Sequence, residues 1–233
     1  MNKQPIGIIG AMQVEIDTLA AALENRTVEI AGGLTFIKGI LDGVPVVLSV
    51  CGVGKVFAAM AAQTMILRYD VRAVINTGVA GTLTDKLSIG DLAIAENVVE
   101  HDMDTSPIGD PVGLISGLNL VQMPADAVLC EKITAVLDGM AIRYAVGTVA
   151  SGDQFVADSE KKSYIRDTFG AIACEMEGAA IGQVCTVNQI PFAVIRAISD
   201  GGNEDAVMDF PTFVKIAAAK SAGVVRAFLK VER

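Results

Sequence analysis

The sequence predicts a three-layer α/β sandwich, a central mixed β-sheet flanked by helices, on three observations. Short apolar runs of strand length alternate with segments of helical periodicity along most of the chain. Small apolar residues dominate a hydrophobic fraction of 52%, aromatics make up 5%, and Trp is absent, as suits closely layered sheet and helix. An Asp42-Gly43 pair between two β-rich runs signals a hairpin, so antiparallel pairs should accompany the parallel ones. The chain of 233 residues is read as one domain spanning 1–233, long enough to bury a core without a disulfide or metal staple.

Each element follows from local pattern. Ile6 to Gly10 is a short buried strand. Ile16, Leu19, Ala20 and Leu23 then recur on one helical face. Leu34 to Val50 holds the two hairpin strands. Lys55 to Leu67 is apolar nearly all round, which predicts a buried helix. Ala73 to Asn76 is a strand running into a glycine turn, Thr77 to Gly81, and Leu92 to Val99 is another strand. From Glu100 to Met123 no period holds, and a long loop is expected. Leu129, Ile133, Val136 and Leu137 restore a helical face. Ala145 to Ala150 is a strand and Asp158 to Thr168 a polar helix; Ala171 to Gly178 passes from strand into a small-residue helix reaching Val187. Phe192 to Ile198 is the last strand. A loop from Gly201 to Met208 precedes a final helix with Phe213, Ile216, Ala217, Val224 and Phe228 facing inward.

Composition excludes several classes of function. A net charge of −9 with no basic cluster argues against a nucleic-acid partner. No apolar run reaches the ~18 residues of a membrane span, and residues 1–12 are too short for a signal peptide, so no membrane role is expected. Cys51, Cys130, Cys174 and Cys185 show no CxxC or zinc spacing and read as reduced, which suits the cytoplasm.

Several motifs fail on inspection. Gly7 and Gly10 lack the dinucleotide GxGxxG spacing and read as a tight strand-to-helix turn. Gly52-Val-Gly-Lys55 resembles a phosphate loop, but Ser49 and Val56 stand where that pattern needs Gly and Ser or Thr. His101 is the sole histidine. With Asp102 and Asp104 it makes a poor metal set, so no metal is expected. Acid–base work therefore falls to carboxylates at strand or turn ends: Glu15, Glu175, Glu177 and Asp200. Burial raises a carboxyl pKa and makes such a group a useful acid near neutrality. Glu175 and Glu177 share a face on a strand and diverge on a helix. They serve equally well as surface caps at the helix start.

Five motifs in order reduce the choices. Ile6-Gly-Ile-Ile-Gly-Ala-Met12 with Glu15, Asn76-Thr-Gly-Val-Ala-Gly81, Ser151-Gly-Asp-Gln-Phe155, Glu175-Met-Glu177 and Arg196-Ala-Ile-Ser-Asp200 together resemble the bacterial 5′-methylthioadenosine/S-adenosylhomocysteine nucleosidases. Each motif alone is weak, but their order across almost the whole chain is specific. The resemblance implies a nucleoside phosphorylase type of fold, a homodimer, and hydrolysis without cofactor or metal. It implies that Asp200 protonates adenine at N7, supported by Ser199, with Phe155 stacking on the purine and the Val156 backbone reading its edge. Glu177 would hold the ribose hydroxyls, with Met176, Ala80 and Gly81 against the nucleoside. Glu15 would activate water, helped by Arg196 and Glu175. Met12, Val53 and Phe210 would line the 5′-alkylthio pocket, which Ile108 of a neighbouring subunit would complete. Val79 departs from the family's usual Ser, so a hydroxyl near the sugar is missing.

The expected reaction is release of adenine from methylthioadenosine and S-adenosylhomocysteine, with 5′-deoxyadenosine as a further substrate and methionine salvage as its setting. Futalosine-type hydrolysis is a near variant. A phosphorylase would need Arg or Lys clamps on phosphate. The turn after the first strand offers Gln13 and Glu15 instead. A binding domain without turnover is the third possibility, and it would not need Glu15, Glu177 and Asp200 together.

Overall fold

The computed structural model describes residues 4–233. The elements run β1 (Ile6–Gly10), α1 (Gln13–Ala21), β2 (Glu24–Ala31), β3 (Leu34–Leu41), β4 (Val44–Val50), α2 (Lys55–Tyr69) and β5 (Ala73–Thr82). Then follow β6 (Leu92–Glu100), a single 3-10 turn at Ser106–Ile108, β7 (Met123–Pro124), α3 (Ala127–Gly139) and β8 (Tyr144–Ser151). The chain ends with α4 (Ser159–Phe169), β9 (Ala171–Glu175), α5 (Gly178–Asn188), β10 (Phe192–Asp200) and α6 (Ala206–Val231).

All the strands join one mixed sheet. β1 lies between β4 and β5 and is parallel to both. The antiparallel series β4–β3–β2 extends one side. On the other side β5 pairs with both β10 and β9, and β10–β6, β6–β8 and β8–β9 complete a ring of pairings. Alternate strand residues feed cores on opposite faces: Ile6 and Ile8 join Leu19 and Phe228 on one side, Ile9 joins Ala58 and Ala179 on the other. The expected layering of helices about a mixed sheet is therefore present, and the ring brings the ends of β5, β8, β9 and β10 together.

Four local expectations need correction. β2 is unexpected, since its one short alternation, Val28 and Ile30, follows a polar start: it is an edge strand, largely exposed, carrying Glu24, Arg26 and Glu29, and β3 is its partner. The glycine segment after Asn76 is not a turn, because β5 continues to Thr82. Its glycines answer a different need. A Cβ at Gly78 would stand 2.5 Å from both Arg196 Nη1 and Glu15 Oε1, and one at Gly81 would stand 2.6 Å from Asp200 Oδ1. Helix α2 buries only one stripe, Ala58, Ala61, Ala62 and Met65, while Val56 and Leu67 lie at 70% and 76% exposure. Ile216 of α6 is likewise exposed, because the inward stripe runs through Ala217, Ser221, Val224 and Phe228.

Candidate active site

A cavity of about 400 Å³ opens at the carboxyl ends of the strands. Of the site residues expected from sequence, Met12, Glu15, Val53, Ala80, Gly81, Phe155, Val156, Glu175, Met176, Glu177, Arg196, Ser199, Asp200 and Phe210 all line it. Ile108 lies elsewhere, 82% exposed in the 3-10 turn. Val79, Gln154, Cys174 and Gly202 also contribute to the wall.

Arg196 is the hub of the cavity floor. It sits mid-strand in β10 at 1% exposure. Its Nη2 donates to Glu175 Oε2, to Asn76 Oδ1 at 2.5 Å and to Glu177 Oε2 at 3.3 Å. Nη1 donates to the Val79 carbonyl at 3.3 Å. Burial works against its charge, but Glu175, Glu177 and Glu15 outweigh burial and raise its pKa, so it stays cationic.

The glutamates are held differently. Glu15, in the first turn of α1, accepts from Ala11 N at 2.7 Å and Met12 N at 2.9 Å through Oε2, and from Val79 N at 3.1 Å through Oε1. Thus Val79 binds Glu15 through its backbone, with no need of a hydroxyl. Burial raises the Glu15 pKa; Arg196 and the three N–H donors oppose it without cancelling it. Glu175 is fully engaged by Arg196, the Ser151 hydroxyl and the backbone N–H groups of Glu177 and Gly178. Glu177 accepts from Gly54 N at 3.0 Å. Burial lifts its pKa to about 7, opposed by Arg196 and reinforced by Glu175. The Glu175/Glu177 ambiguity resolves because the strand ends between them: Glu175 closes β9, and Glu177 is the N-terminal flanking residue of α5.

Asp200 stands apart from this cluster, at the end of β10. Its Oδ1 accepts from Gly202 N and its Oδ2 from the Ser199 hydroxyl, each at 2.9 Å. Burial raises its pKa, and neither hydrogen bond restores the ordinary value. Phe155 and Phe210 meet edge to face above the cavity, with ring centroids 5.4 Å apart.

Lys55, which stands in the loop reminiscent of a phosphate site, braces the mouth instead. Its ammonium contacts Glu100 at 2.9 Å and Asp102 at 2.7 Å, and its backbone N–H donates to Asp153. Asp153 N in turn donates to Asp102. Asp102 is thus occupied in joining two walls. Beside it His101 is buried, and desolvation holds its pKa below the ordinary 6.5. Three polar partners stand in the motifs quoted from sequence but carry no assigned role there: Asn76, Ser151 and the Gly54 N–H. Asn76 and Ser151 were findable in principle, since each lies in the carboxyl-terminal part of a strand where sites collect.

The family model for the phosphorylase superfamily matches residues 5–230. A 5′-methylthioadenosine/S-adenosylhomocysteine nucleosidase of Shewanella loihica is 37% identical over 226 residues, covering 97% of this chain and 98% of that one. The nucleosidase of Neisseria meningitidis, solved with methylthio-immucillin-A, is 35% identical, covers 98% of this chain and all of its own, and superposes with a TM-score of 0.95. A Helicobacter pylori structure described as futalosine hydrolase also superposes at 0.95, with 34% identity and 98% of each chain covered.

Proposed function

The chain belongs to the phosphorylase superfamily and, within it, to the 5′-methylthioadenosine/S-adenosylhomocysteine nucleosidases, and on that premise we propose how its residues carry the reaction. It hydrolyses the N-glycosidic bond of both nucleosides, releasing adenine and the 5′-thio-substituted ribose.

Adenine leaves poorly as an anion, so the reaction needs a proton on the base. Asp200 supplies it to N7 because burial without a guanidinium partner keeps its carboxyl protonated further up the pH scale. Ser199 orients that carboxyl, Phe155 stacks on the purine, and the Val156 backbone reads its edge. As the C1′–N9 pair moves into the purine, the sugar becomes oxocarbenium-like, and the surrounding carboxylates stabilise it. Glu15 takes a proton from the water attacking the opposite face, as in inverting glycosidases. Arg196 and Glu175 hold the floor, and Glu177 with Met176 holds the ribose. Met12, Val53 and Phe210 give the 5′ end an apolar lining suited to an alkylthio group.

One observation carries this assignment: four carboxyls face one cavity, and three of them, Glu15, Glu175 and Glu177, share Arg196 while Asp200 does not. The same observation disfavours phosphorolysis. Arg196 is the one cation among the described residues of the lining, and both of its terminal nitrogens are already engaged. Adenine release from methylthioadenosine in phosphate-free buffer tests the proposal, and inosine should yield no hypoxanthine. Release only after phosphate is added would reassign the protein to phosphorolysis. The futalosine-type neighbour makes the 5′ group the variable to vary in that assay, 5′-deoxyadenosine included.

The active unit is a homodimer in this proposal. Val56, Met60 and Leu67 are exposed along one face of α2, an apolar stripe suited to a partner, and Ile108 is exposed in its own turn. Ile108 would then close the partner's 5′ pocket. Light scattering should give twice the mass of the chain; a monomer with full activity would remove that role. Four free cysteines support the reducing cytoplasm as its location.

A further inference from the structure

We propose that Lys162, with the Ser159–Glu204 pair, is a latch that fastens the loop behind Asp200 to helix α4 and so positions the proton donor against the purine. The inference rests on the assignment of Asp200 as the acid.

The sheet ends at Asp200, and the next residues are two glycines. Gly202 has a φ of +59°, a conformation that costs glycine little and that nothing in Gly201-Gly202 itself enforces. Yet Gly202 N must point at Asp200 Oδ1 to hold that carboxyl. The restraint comes from α4. The Lys162 ammonium donates to the Gly201 carbonyl at 2.7 Å. The Glu204 carboxylate accepts from Ser159 N at 3.0 Å and from its hydroxyl at 2.7 Å. The loop is therefore pinned on both sides of Gly202.

The anchor itself is suited to the task. Ser159 is the first residue of α4, where free N–H groups and the helix dipole favour a carboxylate. Asp158 caps the same turn by accepting from Lys161 N. Shortly before it in sequence come Gln154, Phe155 and Val156, the purine wall. One helical turn thus sets both the surface on which the base lies and the loop that steers its proton donor.

Lys162 also adds charge. Facing Asp200 are Lys162 from α4, Asp209 from α6, the Cys174 thiol from β9 and Ser199 from its own strand. Lys162 is the cation among them and favours the ionised carboxylate, while Asp209 disfavours it. Losing Lys162 should therefore have two separable consequences, a loosened loop and a harder-to-ionise acid.

The test compares Lys162→Met, Lys162→Arg, Glu204→Ala and Asp200→Asn with methylthioadenosine across pH. Lys162→Met should lower kcat about tenfold, the worth of one charge-assisted hydrogen bond, with KM little changed, and move the alkaline limb of kcat/KM to higher pH. Lys162→Arg should restore both. Glu204→Ala should lower kcat without moving the limb upward. A merely structural lysine would lower the melting temperature and leave the limb in place. Parental kcat and an unmoved limb in Lys162→Met, or a defect that Lys162→Arg does not repair, would overturn the latch. If Asp200→Asn is inactive at the same time, the acid assignment survives that failure; if Asp200→Asn turns over at the parental rate, the acid assignment itself falls.

Discussion

Asp200→Asn is expected to lower adenine release about a thousandfold, within the range of a general acid's contribution, while nucleoside binding is largely kept. The substitution isolates chemistry from structure. The new amide oxygen can accept from Gly202 N as Asp200 Oδ1 does, and the amide NH₂ can donate to the Ser199 oxygen, which is free to accept. No buried donor or acceptor is stranded, so the fold should stand. What is lost is the transferable proton. The pH dependence has a definite sign. The working form of Asp200 is the protonated one, and its pKa lies above the usual 3.8. Activity should be present below that raised value and fall as pH climbs through it. The same shift makes the parental stability contribution of Asp200 present at low pH and lost as pH rises through the folded-state value. An amide at this position cannot titrate, so the mutant should lose less stability than the parent between mildly acidic and alkaline buffer. Single-turnover adenine release together with ligand titration decides the matter. Parental turnover in the mutant would mean that another group protonates the base.

Glu15→Gln is the second large effect, and unlike the first it should damage both rate and stability. Each Glu15 oxygen accepts from backbone N–H groups, two on Oε2 and one on Oε1. A glutamine has one oxygen. Whichever way its amide turns, its NH₂ must face a backbone N–H donor at a buried position. Stranding such a group costs about 1–3 kcal/mol, visible as a lower melting temperature. The loss of the base should cost a further 10²- to 10⁴-fold, roughly, in turnover. The two consequences can be told apart, because turnover per folded molecule can be measured well below the melting transition. Parental kcat in Glu15→Gln would show that Glu15 only caps α1 and ties it to β5.

Much of this site is legible in the chain itself. Glu15, Glu175, Glu177 and Asp200 stand at the ends of apolar runs in a chain with one histidine, and all four line the cavity. Legibility fails where burial pattern and sequence pattern part. β2 is exposed on most of its length, and only Val28 and Ile30, both exposed, alternate in it. Helix α2 looks uniformly apolar but buries only one stripe, three alanines and Met65, within one chain. The glycines of β5 resemble a turn because the sequence does not say what approaches them.

Local pattern was enough for the order of most strands and helices, the small-residue composition that permits their close layering, and the chain positions of the ionisable groups. Periodicity over a few residues and the side chains present set all of these. Which groups interact is a matter of long-range contact. Glu15 meets Val79 across 64 positions, Arg196 meets Val79 across 117, and Lys162 meets Gly201 across 39. These pairings depend on the ring of strands that brings distant ends to one cavity. Charge and burial there act through space: Arg196 among three glutamates keeps its charge, and Asp200, out of its reach, holds its proton more tightly.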